Sequence, residues 1–407
     1  MNNVNPIMCA SSFFMLMFLL VSSTCYGEST SEYAAISPEE LESLKNRISL
    51  LEKQSEGGFL SRKKKWFELS GELELEYRDS QGDGSEIDRQ VGYMGIDKVV
   101  LSPKVRIDED VKLSLSFIYT TDGTEVDKAY ITFKDLWLDS SLVVGFDDRF
   151  FYRGGTQRKT EGSPLIRSAY FRVNEYQVTW SGKKNIFNWH ASISQGIKLG
   201  KKQPGEDSSY KFLADRSQDN KGEKNQNKAI SAGFGVKNKI GKSAKYDVMA
   251  FFYNAKLTDD DIAVLQGIAG YQGGDDDDAK RIAGGYFTYQ IGGFDFDTMY
   301  VKSKDGELDR DGWYVRTAYK VKVAGWKTFN AYDFVLRYDE LNIDLPAVDG
   351  TSFSETATWD RTQTTAAVII DMYKYTKLKL EYYINDEETG GDDVSNDEFL
   401  AQLEVKF

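Results

Sequence analysis

The chain has 407 residues, a formal net charge of −13, 14% aromatic residues and a mean hydropathy of −0.49. So acidic a chain lacks the basic footprint of nonspecific nucleic-acid binding, which excludes nucleic acid as a general partner. Cys9 and Cys25 are the only cysteines and His190 the only histidine, so a disulfide framework and a histidine-rich metal site are excluded as well.

The N-terminus reads as a secretory leader. Ser12 to Val21 is an apolar core, and small and polar residues follow it up to Gly27, where cleavage is expected. Residues 28–65 then form a short periplasmic segment. Ser37-Pro38-Glu39-Glu40 caps a helix, and Leu41, Leu44, Ile48 and Leu51 give a heptad seam over 37–54. The seam reads either as a short coiled coil that helps a homotrimer associate, or as a single helix docked on the rest of the chain. Gly57-Gly58 ends it. The basic run Arg62-Lys63-Lys64-Lys65 faces anionic headgroups or is a solvated linker.

From Trp66 to Phe407 the chain alternates apolar and polar residues, the period of a strand with one face in lipid and one in water. The segments are 67–77, 91–107, 111–120, 126–135, 140–148, 169–181, 186–197 and 228–240. They continue with 245–255, 280–291, 293–303, 312–323, 328–343, 359–371, 376–386 and 397–407. Short connections alternate with long ones, at 79–90, 149–168, 198–227, 256–279, 304–311, 344–358 and 387–396, with a brief one at 121–125. Transmembrane barrels pair short periplasmic turns with long external loops in this way, and an even strand count leaves both ends in the periplasm. The fold class expected is all-β, a transmembrane antiparallel β-barrel of about sixteen strands behind a short N-terminal helix. Tryptophans agree: Trp66, Trp137, Trp180, Trp189 and Trp326 fall at periplasmic ends or turns, and Trp313 and Trp359 at outer ends.

The tail Phe399-Leu400-Ala401-Gln402-Leu403-Glu404-Val405-Lys406-Phe407 is an amphipathic strand with an aromatic end. It resembles the last strand of Gram-negative outer-membrane barrels. That resemblance implies that Phe407 is an assembly signal read by the barrel-assembly machinery. With the capped helix, Phe67-Glu68-Leu69-Ser70-Gly71, Val143-Val144-Gly145-Phe146, Gly312-Trp313-Tyr314-Val315-Arg316 and Phe334-Val335-Leu336-Arg337-Tyr338-Asp339, the chain resembles the phosphate-selective porin O/P-type family. So does the hairpin from Ala367-Val368-Ile369-Ile370 to Leu378-Lys379-Leu380-Glu381-Tyr382-Tyr383. The resemblance implies a non-enzymatic outer-membrane channel without cofactor, passing small hydrophilic solutes, with lipid and lipopolysaccharide around it. Related readings are a dicarboxylate or a general porin. Readings of another class are a structural or adhesive barrel and a barrel enzyme.

In such porins the third loop narrows the pore. Here it holds Arg149, Arg153, Arg158, Lys159 and Arg167, a cationic excess unexpected in an acidic chain. Strand parity adds Arg172, Arg316, Lys320, Lys322 and Arg337. These groups would favour small anions such as phosphate, which guanidinium binds bidentately. The loop could equally lie outside, its arginines paired with neighbouring acids or lipopolysaccharide, and Glu68, Glu72, Glu74 and Glu76 make the first strand's lumen face acidic. The run Asp275, Asp276, Asp277 and Asp278 is either a Ca²⁺ or Mg²⁺ site or a solvated loop. His190, on a polar strand face, reads as a wall residue.

Overall fold

The computed structural model describes residues 66–80, 92–120, 123–149, 159–202, 212–217, 227–241, 243–325, 328–345, 358–388 and 396–407. The leader, the helix 37–54, the linker 55–65, Arg153, Arg158 and Trp326 lie outside the described residues.

Among the described residues eighteen strands follow one another. They are β1 (Phe67–Ser80), β2 (Tyr93–Arg106), β3 (Val111–Thr120), β4 (Gly123–Leu136), β5 (Ser140–Asp148), β6 (Asn174–Lys184), β7 (Phe187–Ser194), β8 (Lys198–Lys202) and β9 (Phe212–Arg216). The second half holds β10 (Ala229–Ile240), β11 (Ala244–Lys256), β12 (Ala279–Ile291), β13 (Phe294–Asp305), β14 (Leu308–Lys322), β15 (Phe329–Asp344), β16 (Asp360–Met372), β17 (Thr376–Glu388) and β18 (Glu398–Lys406). All but β8 and β9 pair antiparallel with their chain neighbours into one closed cylinder, in which β7 meets β10 and β18 meets β1. The expected sixteen-stranded barrel is therefore the fold.

Alternation sorts the residues onto the two surfaces. Leu69, Leu101, Phe117, Val178, Phe234, Phe252 and Leu336 are exposed on the outside. Glu74, Asp147, Thr179, His190, Asp297 and Arg337 are buried on the inside. Such a cylinder suits a bilayer because every central backbone group has a partner and no edge remains. Closure extends to the last residue. Phe407 N–H donates to Gly71 O and Gly71 N–H to Phe407 O, both at 3.0 Å. The Phe407 ring lies where a Gly71 side chain would be, 2.3 Å from an added Cβ. A strand glycine covered by an aromatic ring of the neighbouring strand helps pin the register.

One rim carries the tight turns. Gly292, at φ 57°, makes the turn between β12 and β13 in a region open to glycine at little cost. The other rim carries the long connections, several of which fold differently from the sequence expectation. Residues 304–311 were expected to be a long loop. β13 and β14 instead join through Gly306-Glu307 alone, and β14 starts at Leu308 rather than 312. The sixth barrel strand was expected over 169–181 but starts at Asn174, because Leu165–Tyr170 form a helical turn, α1, behind Pro164. The strand expected over 186–197 ends at Ser194, and the expected loop 198–227 contains the β8–β9 hairpin. Within the expected loop 256–279, Thr258 and Asp261 cap each other to start a helix, α2 (Asp259–Gln266).

The largest apolar core lies within the lumen. Leu165, Ile166, Ala169, Tyr170 and Phe171 cluster with Phe212 and Ala214 of β9 and with Phe251, Ile282, Met299, Tyr314 and Leu341 of the wall. Above it Leu199, Leu213, Ile262, Leu265 and Ile343 form a second cluster. Of the expected girdle, Trp180 and Trp189 meet at 5.9 Å near one short turn, and Trp313 packs against Tyr338 at 5.3 Å. Trp359 departs from it: it is 8% exposed and lies beneath the Arg361 guanidinium.

Candidate permeation pathway

The described parts of the third loop, Arg149 and residues 159–168, are fixed within the lumen. From β5, Arg149 reaches inward. Its Nε donates to Glu175 Oε1 at 2.5 Å, and its Nη1 to Asp215 Oδ2 and to Tyr170 O, each at 2.8 Å. The stretch 159–163 meets the far wall. Lys159 reaches Asp333 at 3.3 Å. The Glu161 N–H donates to both oxygens of Glu381, at 2.7 and 2.9 Å. Arg337 donates to Asp339 at 2.5 Å, to Thr160 Oγ1 at 2.8 Å and to Gly162 O at 2.7 Å. Then α1 packs on the bare backbone of Gly312, where a side chain would strike Ile166 at 2.5 Å.

Asp215 on β9 is the second anchor. It is fully buried and accepts from Arg149, from Lys280 Nζ at 2.8 Å and from Arg310 Nη2 at 3.4 Å. Asp305 also accepts from Lys280 and from Arg310 Nε at 2.8 Å. Three cations thus face three carboxylates, Asp215, Asp305 and Glu175. Buried charges persist only when paired and hydrogen-bonded in this way. The Arg310 guanidinium lies 4.8 Å from the Tyr170 ring centroid, which ties α1 into the same network.

The expected pore cations therefore divide. Arg149, Arg316 and Arg337 are brought inside, but each is buried against carboxylates; Arg316 binds Asp295 at 2.9 Å and Asp297 at 3.1 Å. Their charge is balanced, and they act as fasteners. Lys159 is tied to Asp333. Arg167 lies on α1, and Arg172 is an exposed residue ahead of β6 rather than a strand residue. Arg153 and Arg158 lie outside the described residues.

The carboxylate run also does other work. Asp275 accepts from Gln266, Asp277 from the Gly274 N–H, and Asp278 from Lys256. Among the described residues the carboxylates that converge are instead Glu72, Glu74 and Glu404, and Glu74, Asp97 and Glu161. Lys98 binds Glu74 at 2.6 Å and lies 3.8 Å from Asp97 and Glu161, while Lys379 reaches Glu161 and Glu404. Ammonium groups thus stand where a metal ion would. His190 is buried in the wall, its ring filling the space over Gly233.

Lys322, expected on the lumen face from strand parity, is one of six lysines, and the other five were not expected there. Lys104, Lys183, Lys239, Lys245, Lys322 and Lys377 face the lumen by register, and none has an ion pair among the described residues. Several lumen carboxylates, in contrast, are engaged: Glu72 by Lys406, Asp247 by Lys237, Asp371 by Lys320. Strand parity alone would have shown the lysines, but not which acids were already satisfied.

No protein-family model and no curated protein matches the chain. Solved structures match the barrel. OprB of Pseudomonas putida, in its high-pH structure, aligns over 90% of this chain and 97% of its own at 9% identity and TM-score 0.57. A loop L8 deletion mutant of OmpT, an outer membrane protein of Vibrio cholerae, aligns over 84% and 99% at 12% identity and TM-score 0.50. OmpF of Salmonella typhi, in complex with daunomycin, aligns over 84% and 97% at 10% identity and TM-score 0.50. At such identities the likeness defines the class by fold, a closed sixteen-stranded outer-membrane-type barrel. It does not single out the phosphate-selective type.

Proposed function

We propose that this chain is a porin of the Gram-negative outer membrane, through which small hydrophilic solutes diffuse passively, with a preference for anions. The observation that carries the reading is a lipid-compatible cylinder whose lumen is filled in part by residues 159–171 and whose wall carries lysines without an ion pair among the described residues. A confined, poorly screened passage magnifies fixed charge, so these lysines raise local anion concentration and lower the barrier to anion passage. No covalent step and no cofactor are needed. The short turns would face the periplasm, and the helix expected over 37–54 would support a homotrimer.

The anion preference is assigned to the lysines. Arg149, Arg316 and Arg337 are fasteners by their ion pairs. Replacing Lys104, Lys322 and Lys377 together by glutamate is expected to abolish chloride preference in a KCl gradient across a planar bilayer. Arg149 and Arg337 variants are expected to change loop stability first. An unchanged reversal potential in the triple variant would remove the assignment. A second reading, a structural barrel, is favoured by the apolar filling between α1, β9 and β11–β15, and absence of conductance would select it.

A further inference from the structure

Cations gather on the outward face of the barrel as well as inside it. Arg281 of β12 and Lys302 and Lys304 of β13 point outward near the rim of the long connections. Arg281 and Lys304 are Cα partners, and Lys302 lies opposite Ala283, the next outward residue after Arg281. Strands lie about 4.8 Å apart and alternate residues about 6.7 Å apart, so the three cations share one small patch. Towards the other rim the same outward face is apolar and exposed, with Phe252 of β11, Phe287 of β12 and Tyr300 of β13.

The strand itself sets the height of the patch. Lys302 and Lys304 follow Phe294, at the short-turn rim, by eight and ten residues. A rise of about 3.3 Å per residue and a tilt of about 40° put them about 20–25 Å above that rim, at the far edge of an apolar band about 25 Å tall. That is the level of lipid headgroups.

Sheet stability does not account for the arrangement. Like charges directly opposite one another destabilise a sheet, and Arg281 faces Lys304. Arg281 has no ion pair among the described residues. Lys304 reaches Glu307 at 3.2 Å, and Lys302 and Lys304 have Asp311 and Asp309 as Cα partners on β14. The Lys304–Glu307 pair is about half exposed on both sides, where an ion pair contributes little. A phosphate group offers more charge and more acceptor oxygens than one carboxylate, and guanidinium meets it with a planar fork.

We infer that this patch binds the phosphorylated headgroup of a glycolipid of the external leaflet, whose acyl chains lie along Phe252, Phe287 and Tyr300. Arg281 grips a phosphate bidentately, and Lys302 and Lys304 supply point charges beside it. Charge complementarity favours an anionic over a zwitterionic lipid. The position at the long-connection edge favours the external leaflet, where the anionic lipid is a phosphorylated glycolipid. The inference rests on the orientation proposed above, with the short turns toward the periplasm, and is independent of conduction.

The test is titration of the purified, delipidated protein in detergent with fluorescently labelled lipid A carrying both phosphates. The wild type is expected to bind it saturably, and more weakly as salt is added. The variant Arg281→Gln/Lys302→Gln/Lys304→Gln should bind at least about tenfold more weakly, given the strength of charge-assisted hydrogen bonds. Its gel-mobility shift on boiling should persist, because all three side chains lie outside the barrel wall. Lys184→Gln, outward-facing at the short-turn end of β6, should bind as the wild type does. Dephosphorylated lipid A and phosphatidylglycerol should both bind more weakly than lipid A. Equal binding by the triple variant, or of the dephosphorylated lipid, overturns the site. Equal binding of phosphatidylglycerol overturns the glycolipid assignment. Channels formed by a protein that does not bind lipid A would overturn the site and leave the porin reading standing. Lipid A binding by a protein that forms no channels would do the reverse.

Discussion

Replacing Asp215 by alanine is expected to release the β8–β9 hairpin from the lumen and to raise single-channel conductance. The side chain is fully buried and receives Arg149, Lys280 and Arg310 together. Removing it leaves a buried cluster with two carboxylates, Glu175 and Asp305, against three cations. Breaking a buried ion pair by deleting one partner costs about 3–5 kcal/mol. The hairpin itself is five residues on each side and pairs with no barrel strand. Besides Asp215 it is held by the packing of Leu199, Phe212, Leu213 and Ala214, by the Leu199 N–H on Asp261 Oδ1 at 2.7 Å and by Arg310 Nη1 on Leu213 O at 2.9 Å. A loss of that size is comparable with burial of one or two such side chains, about 1.5–3 kcal/mol each, so the hairpin should detach while the barrel persists. Limited proteolysis should then cut within 198–217 in the variant and spare the wild type. Unchanged conductance together with unchanged cleavage would show that the remaining contacts retain the hairpin. Asp215→Asn should fall between the two, because it keeps hydrogen-bond acceptance but loses charge.

Removal of Phe399–Phe407 is expected to abolish the folded barrel altogether. These residues form nearly all of β18, which pairs with β17 on one side and with β1 on the other. Without them β1 and β17 present open edges. Each backbone group left unpaired in hydrocarbon costs several kcal/mol, and no other element among the described residues pairs with those edges. The truncated protein should lose the gel-mobility shift between unheated and boiled samples that a closed barrel gives. Gly71→Val is a milder perturbation of the same seam, since its side chain would have to displace only the Phe407 ring. A truncated chain that still inserted and retained the shift would contradict the closure described here.

The barrel was legible in the sequence because sixteen of its strands have one face in lipid and one on a polar interior. That asymmetry is a period of two, and it survives in the mean even where single residues deviate. The inner elements lack it. Phe212, Leu213, Ala214 and Asp215 are consecutive and all fully buried, so β9 has no exposed face to alternate with. Ala169, Tyr170 and Phe171 are buried in the same way, which extended the apparent strand six backwards across α1. The start of α2 was visible in principle, since Thr258 precedes three aspartates in the manner of a capped first turn. The charged interior was the least legible part. The arginines of the third loop stood out by their number, but Asp215, which neutralises Arg149, is 66 residues away. A partner at that distance is set by topology. The six lysines, scattered over six strands, gain significance only after the acids around them have been matched.

The most direct test is single-channel recording of the purified wild-type protein in planar bilayers with a KCl gradient. An anion-preferring porin gives stepwise openings and a reversal potential displaced toward the chloride equilibrium value. A bilayer that stays silent, or a reversal potential displaced toward potassium, would contradict that reading.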